Sequence, residues 1–140
     1  MAQKLLEKYK SIVLELFENE YSIYKFDSKY KINENIFVNN FFSITKTDDE
    51  VSIVTQEQRL NEYIEKENGW KILKIEGILE FNLIGILNKL SNLFANENIS
   101  IFVISTYNTD YILVKKENIE KAVNVLIKND YEIKGLNNIK

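Results

Sequence analysis

Hydrophobic and polar positions in the second half of the chain follow two periods, one typical of strands and one typical of helices. Four apolar or β-branched runs have strand length: residues 70–76, 99–105, 111–114 and 131–133. Apolar stripes with helical spacing lie between them, over residues 81–96 and 119–127. The predicted order is therefore β-α-β-β-α-β, the order of the ferredoxin-like split βαβ unit. The near-continuous apolar run of residues 99–105 predicts a central strand.

The first half of the chain is rich in strand signals. Residues 41–46 and 51–55 predict a hairpin, and residues 32–38 predict a short helix. Residues 5–17 leave two alternatives open, because their apolar positions fit a helical stripe and residues 12–16 also fit an alternating strand. We expect a strand at residues 21–26. A degenerate copy of the second half is one interpretation of this half, although the direct repeat is too weak to establish it from the sequence.

Composition narrows the chemistry that the chain can perform. The 140 residues include no Cys and no His. Disulfides, thiolate nucleophiles, imidazole bases and Cys or His metal sites are therefore excluded. Four glutamates, Glu7, Glu15, Glu18 and Glu20, are interpreted as solvated rather than as an acid–base pair, because nothing in the sequence converges on them. We expect a binding protein without cofactor or metal, not an enzyme.

Charge and hydropathy give expectations about partners and location. The net charge is −3, without the basic excess that is usual in nucleic-acid-binding proteins. No apolar run is long enough to span a bilayer, and residues 1–10 lack the apolar core of a signal peptide. We expect a cytoplasmic protein that binds neither nucleic acid nor membrane.

Two glycines bracket the predicted passage from the strand at residues 70–76 into the following helix. Gly77 ends the strand, and Gly85 lies at the start of the helix. Unpaired backbone N–H groups at a helix N-terminus suit a carboxylate, and a residue without a side chain lets a ligand approach closely. In a second interpretation, which stays open, Gly85 serves only to let the helix pack tightly on the sheet.

The turn of residues 105–110 is dense in hydroxyl, amide and carboxylate groups. Its sequence is Ser-Thr-Tyr-Asn-Thr-Asp, between two apolar strands. Asp110 offers a carboxylate that can accept charge-assisted hydrogen bonds from a cationic group. The alternative is that Asn108 and Asp110 only form the turn.

The sequence of residues 70–77, 85–87 and 99–114 resembles the ACT-domain superfamily, and residues 41–54 resemble a first-domain hairpin of the same proteins. The likeness spans about residues 12–134 and is strongest for tandem-ACT proteins related to aspartate kinase ACT domains and to the CASTOR-type arginine sensor. The resemblance implies an α+β fold of two ferredoxin-like βαββαβ units, the first degenerate and strand-rich. It favours the strand interpretation of residues 12–26. The implied divisions are an N-terminal extension (1–10), a degenerate ACT-like domain (11–68) and an ACT domain (69–140).

The resemblance also implies a non-enzymatic regulatory protein, a homodimer that binds a small amino acid at an ACT–ACT interface. The implied ligand-binding residues are Gly85, Ile86, Leu87, Thr106, Tyr107, Asn108 and Asp110. Asp110 matches the acid that holds the cationic side chain in the arginine sensor. Leu83 stands where that sensor has a further acid, so arginine specificity does not transfer. The alternative function is a ligand-free oligomerisation or docking module.

Overall fold

The computed structural model describes residues 12–76 and 83–139, which form two compact units. Unit 1 consists of the chain up to Glu18 together with the chain from Lys71 onward, and unit 2 consists of Asn19–Trp70. The division falls inside one long strand, Glu65–Glu76, whose first half belongs to unit 2 and whose second half belongs to unit 1.

Unit 1 is a sheet with two helices. Its elements are β1 (Val13–Leu16), the second half of β5 (Glu65–Glu76), α1 (Leu83–Asn96), β6 (Ile101–Ser105), β7 (Asp110–Lys115), α2 (Ile119–Lys128) and β8 (Glu132–Lys134). Short 3-10 helices lie at Lys116–Asn118 and Leu136–Ile139. The strand order is β8-β1-β5-β7-β6. From β5 to β8 the chain follows the predicted β-α-β-β-α-β order.

The strand β1 lies between β5 and β8. It pairs antiparallel with β5, with Leu14 opposite Ile75, and parallel with β8, with Leu14 opposite Ile133. Leu14 and Leu16 are buried in the core of unit 1. The predicted domain 11–68 thus includes a strand that the structure places in unit 1, because its alternate leucines complete the core of that unit.

The helices α1 and α2 supply the other side of this core. On α2, Ile119, Ala122, Val123 and Leu126 are buried at spacings of three and four residues, so they form one face of the helix. On α1, Ile86, Leu90 and Phe94 are buried in the same core. They pack against alternate residues of the strands, such as Ile112 and Val114 of β7.

Unit 2 is a strand-rich unit with a separate core. Its elements are β2 (Tyr21–Phe26), a 3-10 helix (Glu34–Val38), β3 (Phe42–Lys46), β4 (Val51–Gln56) and the first half of β5, in the sheet order β3-β4-β2-β5. The core contains Tyr24 and Phe26 of β2 together with Ile36 and Ile53. The Thr47 hydroxyl closes the β3–β4 hairpin by accepting hydrogen bonds from the Asp49 and Glu50 amides at 3.1 Å.

The α+β fold class is confirmed, with the ferredoxin-like order in unit 1. The hairpin of residues 41–55 is confirmed as β3 and β4, and the short helix of residues 32–38 is a 3-10 helix at Glu34–Val38. The open alternative for residues 12–16 is decided in favour of a strand, since Val13–Leu16 is β1. Residues 1–10, Gly77 and the predicted helix start at residues 81–82 lie outside the described residues.

Two details of the strand predictions are wrong. The strand β6, predicted to be central, pairs within the described residues only with β7, so it lies at an edge of the unit 1 sheet. The strand β5 begins at Glu65, five residues before the predicted start. Residues 65–68 are polar because this part of the strand is largely exposed, whereas the strand is buried from Gly69 onward over most of its length.

The neighbouring residues Leu126 and Ile127 of α2 test the core of unit 1. Leu126 is 0% exposed and Ile127 is 47% exposed. We expect Leu126→Ala to lower the free energy of unfolding by about 2–5 kcal/mol, because it removes buried methyl groups and leaves a cavity. Ile127→Ala should change it by less than about 1 kcal/mol. Urea denaturation measures both, and equal losses would contradict this assignment of the core face.

Candidate functional site

The turn between β6 and β7 is closed by hydrogen bonds between its first and last residues. The Thr106 amide donates to the Thr109 carbonyl at 2.9 Å, and the Thr106 hydroxyl donates to the same oxygen at 3.1 Å. Tyr107 and Asn108 occupy the two central positions and are exposed, and the Tyr107 side chain is fully exposed. The polar groups of Thr106, Tyr107 and Asn108 are therefore presented to solvent on a defined turn.

Thr109 fastens this turn to the neighbouring strand. Its hydroxyl donates a hydrogen bond to the Ile75 carbonyl at 2.7 Å, and its side chain is buried. Ile75 is the penultimate residue of β5, so the turn lies beside the carboxyl end of that strand. The sequence predictions did not include Thr109, because a threonine in a polar turn carries no signal of a partner 34 residues away.

Asp110 is the second buried polar residue of the turn, after Thr109. It opens β7 opposite Ser105, and only 6% of its surface is exposed. Alternate residues of a strand share a face, so Asp110 lies on the same face as Ile112 and Val114, which pack against the helices. Within residues 12–76 and 83–139, its carboxylate forms no hydrogen bond or ion pair. The carboxylate oxygens are not among the fully buried, unpartnered side-chain atoms of the described ranges, so they retain contact with solvent, and a ligand can reach them from there.

Gly85, Ile86 and Leu87 lie in the first part of α1. The Ile86 side chain is buried in the unit 1 core, Leu87 is partly buried against it, and Gly85 is exposed. A Cβ atom added at Gly85 would have no atom within 4 Å, so helix packing does not require a glycine there. Because the side chains of Ile86 and Leu87 are used in the core, a ligand at this point of the helix would contact backbone or the open position at Gly85.

The structure places the turn of residues 105–110 beside the end of β5. The proximity of this turn to Gly85 stays a prediction. Residues 77–82, which join β5 to α1, lie outside the described residues. The Thr109–Ile75 bond shows that Asp110 starts its strand beside the point from which the chain leaves for α1. That Gly85 and Asp110 contact one ligand follows from the resemblance alone.

Charged side chains surround the same end of β5. Lys134 Nζ lies 3.0 Å from Glu76 Oε2, and this hydrogen bond holds the pKa of Glu76 below its ordinary value. A hydrogen bond between the Glu15 and Glu76 carboxyl groups raises the pKa of Glu15, with burial adding to the effect. The sequence interpretation of Glu15 as a solvated residue did not include this neighbour. Glu15 and Glu76 are far apart in sequence and meet because β1 pairs with β5.

Other features of the described residues lie elsewhere. Two concave surfaces occur on unit 1, one along α2 beside Glu97 and one lined by Lys89, Asn92, Leu93, Asn129 and Tyr131. Neither includes a residue of the predicted site. No group of three or more carboxylates within the described ranges is placed to hold a metal ion. In the same ranges, no helix is long and apolar enough to cross a membrane.

Family comparisons match both parts of the chain. A family model described as an ACT domain matches residues 65–128, which include β6, β7 and both helices. A second model, described as an N-terminal domain, matches residues 19–62. No curated protein sequence is significantly similar to the chain.

Solved structures share the fold. A protein of Agobacterium tumefaciens has a TM-score of 0.80 and 29% identity, with 88% of this chain and 92% of that chain covered. A Vibrio cholerae protein described as of unknown function and as a possible transport protein has a TM-score of 0.67 and 18% identity, covering 93% and 99%. The aspartate kinase of Clostridium acetobutylicum, described as an allosteric enzyme, has a TM-score of 0.62 and 16% identity, covering 82% of this chain and 33% of the kinase.

The two glycines of unit 1 with described surroundings predict opposite effects of one substitution. We expect Gly85→Ala to raise the free energy of unfolding by up to about 1 kcal/mol, since alanine favours a helix and its Cβ meets open space. Gly135→Ala should lower it by more than about 1 kcal/mol, because Gly135 has a φ of +81° and its Cβ would lie 2.6 Å from the Leu16 carbonyl oxygen. Thermal and urea denaturation measure both changes. A loss of stability in Gly85→Ala would show that the glycine is needed for packing.

Proposed function

We propose that this protein is a cytoplasmic, non-enzymatic regulator that binds a small amino acid at an interface between ACT units. The observation that carries the proposal is the position of Asp110: the residue is largely buried beside a polar turn, and its carboxylate retains contact with solvent and bonds to no other side chain of the described residues. Support for a regulatory role comes from the ACT-domain match at residues 65–128 and from the structural likeness to the allosteric aspartate kinase.

The ligand chemistry follows from two sets of groups. Backbone N–H groups in the first turn of α1 would receive the α-carboxylate, which is favoured at a helix N-terminus. Gly85 would let the ligand approach, and Ile86 and Leu87 follow it in the same helix. Asp110 would accept hydrogen bonds from an ammonium or another cationic group, each typically stronger than a neutral hydrogen bond. The polar groups of Thr106, Tyr107 and Asn108 would complete the site. A zwitterion satisfies both requirements, so a basic side chain is not needed.

The tandem arrangement is also part of this proposal. The likeness to the aspartate kinase covers 82% of the chain and so extends well beyond residues 65–128. In our proposal unit 2 is the degenerate, strand-rich partner of unit 1. Ligand binding can regulate only if the amino acid binds two states of the protein with different affinity. A change in the packing of ACT units would provide those two states.

Binding should be detectable as stabilisation of the native protein. A ligand at one hundred times its Kd raises the free energy of unfolding by about 2.7 kcal/mol. A thermal-shift screen of the twenty L-amino acids at millimolar concentration should therefore identify at least one that raises the melting temperature. No shift with any of them would contradict the proposal and favour a ligand-free docking module.

The isosteric substitution Asp110→Asn separates a binding role from a structural role. We expect it to weaken binding of the amino acid found in the screen by about 10- to 150-fold, the factor that corresponds to a lost charge-assisted hydrogen bond of about 1.5–3 kcal/mol. Stability without ligand should not fall, because the Asp110 carboxylate has no partner among the described residues to lose. Isothermal titration calorimetry and urea denaturation measure the two effects.

Asp130→Asn is the matched control for this substitution. Asp130 is exposed and has a φ of 69°, a conformation that asparagine also adopts readily. It should bind the amino acid as the wild type does. Unchanged affinity in Asp110→Asn, or a large loss of its stability, would make Asp110 a structural residue of the turn.

The edge strand β6 supports the homodimer that the proposal includes. Ile101–Ser105 contains no charged residue and no proline, the usual protections of an edge strand against pairing with another chain. The other edge strands of the two units carry such charges, Lys46 in β3 and Glu132 and Lys134 in β8. A second copy pairing along β6 would cover its backbone groups and the half-buried side chains of Phe102 and Ile104.

A charge introduced into β6 should dissociate this dimer. We expect Ile104→Lys to shift the protein from dimer to monomer in sedimentation velocity experiments, because it places a charge on an edge that would be buried by pairing. Thr45→Lys, on the edge strand β3, is the control and should leave the dimer intact. A wild-type protein that is monomeric at all concentrations, or a dimeric Ile104→Lys variant, would contradict the role of β6.

A further inference from the structure

Thr109 joins two parts of unit 1 that are distant in sequence. Its hydroxyl donates to the Ile75 carbonyl at 2.7 Å, and its own carbonyl accepts hydrogen bonds from the Thr106 amide and hydroxyl at 2.9 and 3.1 Å. The turn is therefore closed upon itself through Thr106, and the Thr109 hydroxyl adds a side-chain bond to β5 beside the pairing of β7 with β5. The side chain of Thr109 is 8% exposed, so water has little access to this bond.

The bond is adjacent in the chain to Asp110, which the strand pairing of β7 with β6 and β5 also holds. Asp110 is the next residue in the chain and the first residue of β7. Tyr107 and Asn108, which precede Thr109 in the chain, are exposed. Among the described residues, the hydrogen bonds that close the turn around them join Thr106 and Thr109. Surface turns are more mobile than the strands that they connect, and a hydrogen bond from a side chain of the turn to a strand reduces this mobility.

We propose that Thr109 is a positioning residue of the amino-acid site. Its hydroxyl bond to the Ile75 carbonyl holds the turn and the Asp110 carboxylate in the binding geometry before the ligand arrives. This inference rests on the proposed function, because it assigns to Thr109 the task of preparing that site. A site that is ordered before binding loses less conformational entropy when it binds, and its affinity is correspondingly higher.

A purely structural role for Thr109 makes a different prediction from a positioning role. If the hydroxyl only stabilises the fold, its removal lowers the free energy of unfolding and leaves the affinity of the folded protein unchanged. If it positions the turn, its removal lowers the affinity of the folded protein. The affinity of the folded protein is therefore the deciding quantity.

The experiment compares Thr109→Val, which lacks the hydroxyl and keeps the shape, with Thr109→Ser, which keeps the hydroxyl. The probes are the twenty L-amino acids, and each variant is titrated by calorimetry with the one that stabilises the wild type most. We expect Thr109→Val to bind about three- to tenfold more weakly, the factor that corresponds to one net hydrogen bond. Thr109→Ser should bind within about twofold of the wild type.

Hydrogen–deuterium exchange of the unliganded proteins supplies a second measurement. In Thr109→Val the amides of residues 105–110 should exchange faster than in the wild type, while those of α2 should not change. Thr109→Ala, which also lacks the hydroxyl but places no methyl group against the Ile75 carbonyl, keeps the comparison possible if the valine variant does not fold.

Three results would overturn the inference. Wild-type affinity in Thr109→Val would show that the hydroxyl has no positioning role, although the proposed function would stand. A serine variant that binds as weakly as the valine variant would show that keeping the hydroxyl does not preserve the affinity, so the hydrogen bond would not be its cause. A wild-type protein that binds none of the twenty amino acids would refute the proposed function itself, and the positioning role with it.

Discussion

The insertion of β1 between β5 and β8 is the constraint on which unit 1 depends. Val13 pairs with Glu76 on one side and with Glu132 on the other, so a strand of four residues joins segments that are far apart in sequence. Its inward residues, Leu14 and Leu16, are completely buried. The Leu16 carbonyl accepts a hydrogen bond from the Asn138 side chain at 3.0 Å, which also fixes the end of the chain. Contacts of such sequence separation form only after large loops close.

This arrangement determines the surroundings of the candidate site. Because β1 and β8 cover one edge of β5, β7 lies at the other edge, and the turn of residues 106–109 adjoins the end of β5 from that side. The pairs around Glu15, Glu76 and Lys134 belong to the β1–β5–β8 side. The carboxyl end of β5 is thus held on one side by charged groups and on the other by the Thr109 hydroxyl.

The sequence was a good guide to elements whose pattern is local. The helix α2 was predictable because Ile119, Ala122, Val123 and Leu126 recur at helical spacing, and the β3–β4 hairpin because two apolar runs flank a polar turn. The pairing of strands was less predictable. The apolar run of β6 resembles a central strand. An apolar run, however, indicates that side chains are buried, within the chain or against another chain, and does not indicate how many strands lie beside it in the sheet.

The residues of the candidate site likewise include some that the sequence pattern identified and some that it did not. The turn of residues 105–110 was evident from its polar residues, but Thr109 was not, because its partner is a backbone carbonyl that no sequence pattern marks. The Glu15–Glu76 pair was missed since each residue is unremarkable in its own segment. Gly85 was recognised, whereas only the structure shows that a Cβ there would meet open space.

The position of Asp110 links the turn to the proposed binding. The residue is largely buried, yet its carboxylate oxygens retain contact with solvent and bond to no other side chain of the described residues. A ligand cation that bonds to Asp110 would therefore replace water and would not have to break a bond within the protein. Such a bond can regulate if it forms in only one of two states of the protein, because coupling depends on differential affinity. A residue such as Thr109, which fastens the turn to β5, would preserve the position of the carboxylate in the free protein.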